Sequence, residues 1–273
     1  MTQIAFIGGG NMATSIIGGL IREGGVKPTL IHVSDPNAEQ RERLEQDFGI
    51  STHESNLDAI SGAAVVILAV KPQMMREVLQ PLKETLATRQ PLVISIAAGI
   101  SLPALERWTS CRSIVRAMPN TPSLHGFGAT GLFASEGVTL DQRNITDRLL
   151  AGTGLTLWVQ TEQEIDTVTA LSGSGPAYYF LLMESMIAAG QTMGLSEETA
   201  RKLTLQTALG AGHMASHSDV SPAELRRRVT SPGGTTEKAI ATFEGAHLRD
   251  IVKAAMDAAS KRAAELSDLL GKD

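Results

Sequence analysis

Residues 4–19 read Ile-Ala-Phe-Ile-Gly-Gly-Gly-Asn-Met-Ala-Thr-Ser-Ile-Ile-Gly-Gly. Ile4 to Ile7 form a short apolar run of the kind that makes a buried strand. Gly8, Gly10 and Ala13 then give the spacing G-x-G-x-x-A, and a helical pattern follows at once. That order aims unpaired backbone N–H groups and a helix N-terminus at one point, which suits a pyrophosphate. Gly8 serves the tight turn, Gly10 lets phosphates approach the backbone, and the small Ala13 lets helix and strand pack closely. The string alone is common. Its position between a strand and a helix makes it a dinucleotide-binding signal.

Outward from this turn, strand and helix patterns alternate, as in a parallel α/β sheet. The first helix is expected from Asn11 to Glu23, stopped by Gly24-Gly25. Leu30 to Val33 is the second strand, ending in Ser34-Asp35-Pro36, and a polar helix follows from Ala38 to Phe48. Residues 63–70, Ala-Ala-Val-Val-Ile-Leu-Ala-Val, imply a strand buried on both faces. After Lys71-Pro72 a helix is expected to run to Leu86. Leu92 to Ile96 and Ile114 to Met118 are further strands, with Thr130 to Phe133 and Thr156 to Val159 as the last two. From Thr161-x-x-Glu164, a capping-box pattern, the helical period dominates. Helices are expected near 162–193, 197–217, 222–229, 234–244 and 247–270, and Ser221-Pro222-Ala223-Glu224 is a full helix-start signal. The expected class is α/β: a Rossmann-type dinucleotide-binding domain, 1–161, followed by an all-α dimerisation and substrate-binding domain, 162–273.

Composition bounds the partners. The chain has 273 residues, 42% hydrophobic and 19% charged, with a formal net charge of -5. Such a chain can build a large core, and its charge argues against nucleic acid or an anionic membrane as the main partner. Arg226-Arg227-Arg228 is the one dense basic run, and it reads as a solvated helix face. A single cysteine, Cys111, excludes an internal disulfide, and nothing in the sequence pairs it with a base. There is no basic leader, cleavable apolar stretch or membrane-length apolar run, so a soluble cytoplasmic protein is expected. His213 and His217 stand four apart on an expected helix with no carboxylate at metal spacing, so no metal site is expected. The apolar residues on nearly every C-terminal helix, Met183, Met186, Ile187, Leu203, Leu205 and Leu209 among them, point to a helical dimer interface.

In an open parallel sheet the ligand lies beyond the carboxyl ends of the strands. Those ends carry Gly8, Gly9, Gly10, Asn11 and Met12; Ser34 and Asp35; Val70, Lys71 and Pro72; and Ala97, Ala98 and Gly99. Asp35 suits the two adenosine ribose hydroxyls of NAD, yet Ser34, Arg41 and Arg43 suit a 2′-phosphate, so both cofactors stay open. Two motifs of the helical half have no propensity reason to be there. Leu171-Ser172-Gly173-Ser174-Gly175-Pro176-Ala177 interrupts a helix, and Ser231-Pro232-Gly233-Gly234-Thr235-Thr236 offers N–H groups and hydroxyls at a helix N-terminus. Ordinary turn chemistry explains either one. Beside a dinucleotide fold they favour a pocket for a small carboxylate. The chain lacks a G-x-S-x-G elbow, an H-E-x-x-H pair, a Walker loop and a C-x-x-C pair.

Ile-Gly-Gly-Gly-Asn-Met at 7–12, Ala-Val-Lys-Pro-Gln at 69–73, Ser-Ile-Ala-Ala-Gly at 95–99, Arg-Ala-Met-Pro-Asn-Thr-Pro at 116–122, Ser-Gly-Ser-Gly-Pro-Ala-Tyr at 172–178 and Ser-Pro-Gly-Gly-Thr-Thr at 231–236 are collinear over almost the whole chain. Together they closely resemble the pyrroline-5-carboxylate reductases. The resemblance implies reduction of 1-pyrroline-5-carboxylate to L-proline by NADPH or NADH, with NADPH slightly favoured. It implies a homodimer through the C-terminal helices, sometimes a higher oligomer of dimers. It sets cofactor contacts at Gly8 to Met12, Ser34, Asn56, Ala69, Val70, Lys71 and Pro72, with Ala97 and Ala98 beside the nicotinamide. Ser231, Gly233, Gly234 and Thr235 would meet the substrate carboxylate, with Ser174 nearby, and Thr236 would orient the ring nitrogen as the catalytic residue. An iminium carbon is electrophilic enough to need no strong protein acid, which matches a site poor in titratable groups. The alternatives are another imine or 3-hydroxy-acid reductase of this architecture, and a regulatory protein that binds NAD(P)H without turnover. The hydroxy-acid enzymes use a helical Lys, and no Lys occurs between Thr161 and Gln191.

Overall fold

The computed structural model describes residues 2–22 and 25–271. Its strands are β1 (Ile4–Ile7), β2 (Ile31–Ser34), β3 (Ser51–His53), β4 (Val65–Leu68), β5 (Leu92–Ser95), β6 (Ile114–Met118), β7 (Gly128–Ala134) and β8 (Gly154–Trp158). They form one sheet in the order β3-β2-β1-β4-β5-β6-β7-β8. All pairs are parallel except β6 with β7. The sheet expected from sequence was parallel throughout. The reversal follows from the connection: a 3-10 turn, Thr121–His125, joins β6 to β7, and it is too short for the crossover that a parallel pair needs. The helix Leu140–Leu150 lies between β7 and β8, so that pair is parallel again.

β1 is the axis of the sheet, and all four of its residues are buried. Ile4 and Phe6 face one core with Ile16, Ile17 and Leu20 of the helix Asn11–Arg22, Leu44 of the helix Ala38–Phe48, and Leu149 and Leu150. Ala5 and Ile7 face the other core, with Ile60, Met75, Leu79, Leu86 and Leu105. Each large side chain so buried contributes about 1.5–3 kcal/mol. The expected end of the first helix at Glu23 and Gly24 lies outside the described residues; the helix is described to Arg22.

Other departures have local causes. The helix expected from Pro72 to Leu86 is broken into Met75–Leu79 and Lys83–Arg89 by a 3-10 turn holding Pro81, which has no N–H to continue the ladder. The helix expected near 162–193 is interrupted at the Leu171–Ala177 motif, as its two glycines and proline imply, into Gln163–Val168, a π-helical turn Thr169–Gly173, and Gly175–Thr192. β3 and the helices Asn56–Ile60, Leu102–Thr109 and Leu140–Leu150 are additional to the sequence reading.

Contacts divide the chain into two compact units: residues up to Ser174 with those from Ala258 on, and Gly175–Asp257. In the first unit the last turns of the helix Leu248–Leu270 dock on the sheet domain. Arg107 donates to the Gly271 carbonyl at 2.5 Å, and Leu270 packs on the second core. In the second unit the helices Gly175–Thr192 and Glu197–Ser216 pack on each other, followed by Pro222–Arg228 and Thr235–Gly245. Ser221 caps its helix by accepting from the Glu224 N–H at 3.3 Å. Arg227 and Arg228 bracket Glu224 and hold its carboxyl down at about 2, while Arg226 reaches Glu244. The basic run is thus an ion-paired surface. Tyr179, Phe180, Leu181, Leu203 and Leu209 of this unit are each more than half exposed. No described helix is long and apolar enough to cross a membrane.

The close approach of Gly19 to Gly152 fastens the first helix to the turn before β8. A Cβ on Gly152 would fall 2.6 Å from the Gly19 Cα, backbone against backbone. Gly152→Ala is expected to lower unfolding stability by about 1–3 kcal/mol, read as a lower urea midpoint at unchanged slope.

Candidate functional site

β1 to β5 run parallel, so their carboxyl ends share one edge of the sheet. Gly8 turns the chain there with φ +98, and a Cβ on it would lie 2.7 Å from the Ala69 carbonyl oxygen. Only glycine meets both constraints. The Gly8 N–H donates to the Ser34 carbonyl at 2.8 Å, and the Ala69 N–H donates to the Ile7 carbonyl at 2.8 Å. The turn is therefore stitched to β2 on one side and β4 on the other. Gly10 is exposed with open space where a Cβ would point, and Asn11 and Met12 begin the helix.

Asp35 completes this turn from β2. Its Oδ2 accepts from the Gly9 N–H at 2.9 Å and its Oδ1 from the Asn37 N–H at 2.9 Å. Gln40 donates to the Gly9 carbonyl at 2.5 Å, and Arg41 donates to the Asp35 carbonyl at 2.7 Å. Ser34 is fully buried, and its hydroxyl donates to the Phe6 carbonyl at 3.3 Å, into the sheet. Asn56 opens the short helix after β3, capped by Ser55. Ala69 and Val70 are half-buried, Lys71 is exposed, and Pro72 begins a 3-10 turn. Ala97 is buried beside Ser95, and Ala98 is half-buried. The structure thus brings Gly8 to Met12, Ser34, Asp35, Asn56, Ala69 to Pro72, Ala97 and Ala98 to a single edge.

Ser174 ends the π-helical turn, its N–H donating five residues back to the Thr169 carbonyl at 2.8 Å. In the second unit Ser231, Gly233 and Thr235 are exposed, and Gly234 and Thr236 half-buried, at the start of Thr235–Gly245. Gly233 has φ +73, and its N–H is taken by the Glu237 carboxylate at 2.9 Å. The Gly234 N–H donates to the Ser231 carbonyl at 3.0 Å. The first intrahelical bond is that of Lys238, so the N–H groups of Thr235, Thr236 and Glu237 are left at the helix start, and those of Thr235 and Thr236 are available to an anion. Glu237, three residues after the capping position, could have been read as the acidic half of a capping box.

Three further features escaped the sequence reading. Asn120 bridges β7 and the π-helical turn: its Oδ1 accepts from the Ala129 N–H at 2.9 Å, and its Nδ2 donates to the Ser172 carbonyl at 3.0 Å. Arg116, buried in β6, pairs with Glu162 at 2.6 Å, and the same carboxylate oxygen takes the Leu102 N–H. Asp166 stands near this pair. Burial pushes its carboxyl up, Arg116 opposes this, and Glu162 and Asp268 add to it. Burial likewise pushes the Cys111 thiol up, as for an inert structural cysteine. His213 and His217 stack with ring centres 4.2 Å apart. Among the described residues no three His, Cys, Asp or Glu side chains gather in a metal-holding group.

A family model described as pyrroline-5-carboxylate reductase dimerisation matches residues 162–266, and one described as NADP oxidoreductase, coenzyme F420-dependent, matches residues 3–99. The chain is 53% identical over 271 residues to the pyrroline-5-carboxylate reductase of Pseudomonas aeruginosa, covering 99% of this chain and 98% of the relative. It is 37% identical to that of Pisum sativum, covering 97% and 96%. The solved structure of a pyrroline-5-carboxylate reductase from Coxiella burnetii superposes with a TM-score of 0.93 at 46% identity, covering 97% of this chain and 98% of that one. That of the Plasmodium falciparum pyrroline carboxylate reductase with NADP bound gives 0.85 at 28% identity, covering 97% and 98%.

An aspartate whose carboxyl is raised in the fold disfavours its own ionisation there. The cost is absent below its ordinary value, about 3.9, and is fully present once pH exceeds the raised value. Asp166→Asn is therefore expected to raise the urea midpoint at pH 7, with the gain shrinking as pH falls toward about 4.

Proposed function

The chain belongs to the pyrroline-5-carboxylate reductase family, and from that premise we propose how its own residues carry out the reaction, the NAD(P)H-dependent reduction of 1-pyrroline-5-carboxylate to L-proline that ends proline biosynthesis. The observation that carries the reading is the open N–H cradle at Gly10, where the carboxyl ends of β1, β2 and β4 meet a twelve-residue helix. The fit to a dinucleotide is good. A side chain at Gly10 would fill the space a pyrophosphate needs, and the helix N-terminus favours its charge.

Gly10, Asn11 and Met12 would present their N–H groups to the pyrophosphate, and Gly8 and Gly9, whose N–H groups go to Ser34 and Asp35, would shape the turn beneath it. Asp35, its carboxylate fixed by two backbone N–H groups, receives the adenosine ribose hydroxyls. Arg41 lies at the same strand end and offers a cation to a 2′-phosphate, which supports use of either cofactor. Ser34 acts from within the sheet by holding the end of β2, and Asn56 flanks the adenosine side. Ala69, Val70, Lys71 and Pro72 line the ribose nearer the reacting end. The small Ala97 and Ala98 leave room for a flat ring. The bound cofactor supplies the hydride.

The N–H groups of Thr235 and Thr236, with the Ser231 hydroxyl and the bare backbone of Gly233 and Gly234, hold the substrate carboxylate. Ser174 borders the ring, and the Thr236 hydroxyl orients its nitrogen. The imine carries its own proton into the site, so the protein's task is alignment and exclusion of water. We keep 1–161 as the cofactor-binding division and 162–273 as the helical one; the family model beginning at residue 162 supports this. The exposed Tyr179, Phe180, Leu181, Leu203 and Leu209 support a homodimer through the C-terminal helices, since a monomer rarely leaves so much apolar side chain in water.

NADPH absorbance is expected to fall on addition of 1-pyrroline-5-carboxylate; cofactor binding without turnover would contradict the reading. Thr236→Ala is expected to retain the NADPH Kd and lose about 10²-fold in kcat/KM, with full activity ruling out the role of that hydroxyl. Light scattering at micromolar concentration is expected to give a dimer or larger, and a monomer would refute the interface.

A further inference from the structure

We propose that Asn120 is a positioning residue for the reduction, acting through the π-helical turn that carries Ser174. The inference rests on the reading above that Ser174 borders the substrate. The helix is broken at this turn. In an uninterrupted α-helix the Ser172 carbonyl would accept from the N–H four residues on, but that residue is Pro176, which has none. The Asn120 carboxamide supplies a donor to that carbonyl instead, at 3.0 Å. Its oxygen accepts from the Ala129 N–H at 2.9 Å, so the amide is oriented one way only; flipped, it would set donor against donor and oxygen against oxygen.

The same turn is held from a second side. A Cβ on Gly173 would come 2.7 Å from the Met118 Cε, so the turn lies close on the carboxyl end of β6. The Ser174 N–H bonds back to Thr169 rather than to Ala170, which is the π register. Register decides direction: moving that bond by one residue rotates Ser174 by about 100° around a helix of 3.6 residues per turn. Asn120 lies two residues beyond β6, and β6 is the parallel neighbour of β5, whose end carries Ala97 and Ala98. The amide therefore ties the turn that aims Ser174 to the strand next to the nicotinamide end. Single-turn π segments recur at functional sites for such re-aiming.

The test compares Asn120→Asp with the wild type. Aspartate can still accept from Ala129 but sets an oxygen against the Ser172 carbonyl. The expected result is a loss of about 10²-fold in kcat/KM, carried mainly by kcat, with the NADPH Kd from fluorescence titration within about twofold of wild type. Unchanged kcat in Asn120→Asp overturns the proposal. The double variant Asn120→Asp with Pro176→Ala separates positioning from mere support, because residue 176 then offers an N–H to Ser172. Recovery of Tm without recovery of kcat supports the proposal. Joint recovery of Tm and kcat overturns it, as does loss of NADPH binding in both variants. A wild-type protein without turnover would instead refute the reduction of 1-pyrroline-5-carboxylate itself.

Discussion

The turn at Gly8 is the constraint on which the rest of the molecule depends. Three strand ends must come within hydrogen-bonding distance there, and the helix must start in the same few residues. The positive φ and the proximity of the Ala69 carbonyl leave no room for a Cβ. Asp35 then closes the turn from β2 through the Gly9 N–H. A carboxylate held by two N–H groups is a strong, directional fastening. It fixes the path of the glycine turn before any ligand arrives, so little ordering cost is left for binding.

The helical half is built on a different principle. Its helices have little buried surface of their own, and in the second unit among the described residues Ala200 and Thr204 are side chains that reach full burial. Helical stability of this kind needs a partner face. The cofactor edge of the first unit stands on a double-sided core, whereas the Thr235–Gly245 segment of the second stands on helices whose side chains are mostly exposed. Hydride transfer to a protonated imine asks for alignment rather than for a strong acid or base.

The sheet was legible where the information is local. Ile4 to Ile7, the glycine spacing and the apolar run before Lys71 carry strand, turn and burial within a few residues. Residues 140–150 were missed as a helix because their sequence, Leu-Asp-Gln-Arg-Asn-Ile-Thr-Asp-Arg-Leu-Leu, buries only Thr146, Leu149 and Leu150. β3 has three half-buried residues and no apolar pattern to read. The reversal of β7 is a consequence of connection length. Within the site, the bonds of Asp35 to Gly9, Asn120 to Ser172 and Arg116 to Glu162 span 26, 52 and 46 residues, and no local pattern announces them.

The central claim is that hydride passes from the nicotinamide to the imine carbon of the ring. It is tested most directly by supplying NADPH with deuterium at both C4 positions together with unlabelled 1-pyrroline-5-carboxylate, and measuring the proline formed by mass spectrometry and NMR. The account predicts one deuterium per proline, on the ring carbon next to nitrogen and remote from the carboxylate. Proline without deuterium, or label at any other carbon, would contradict it.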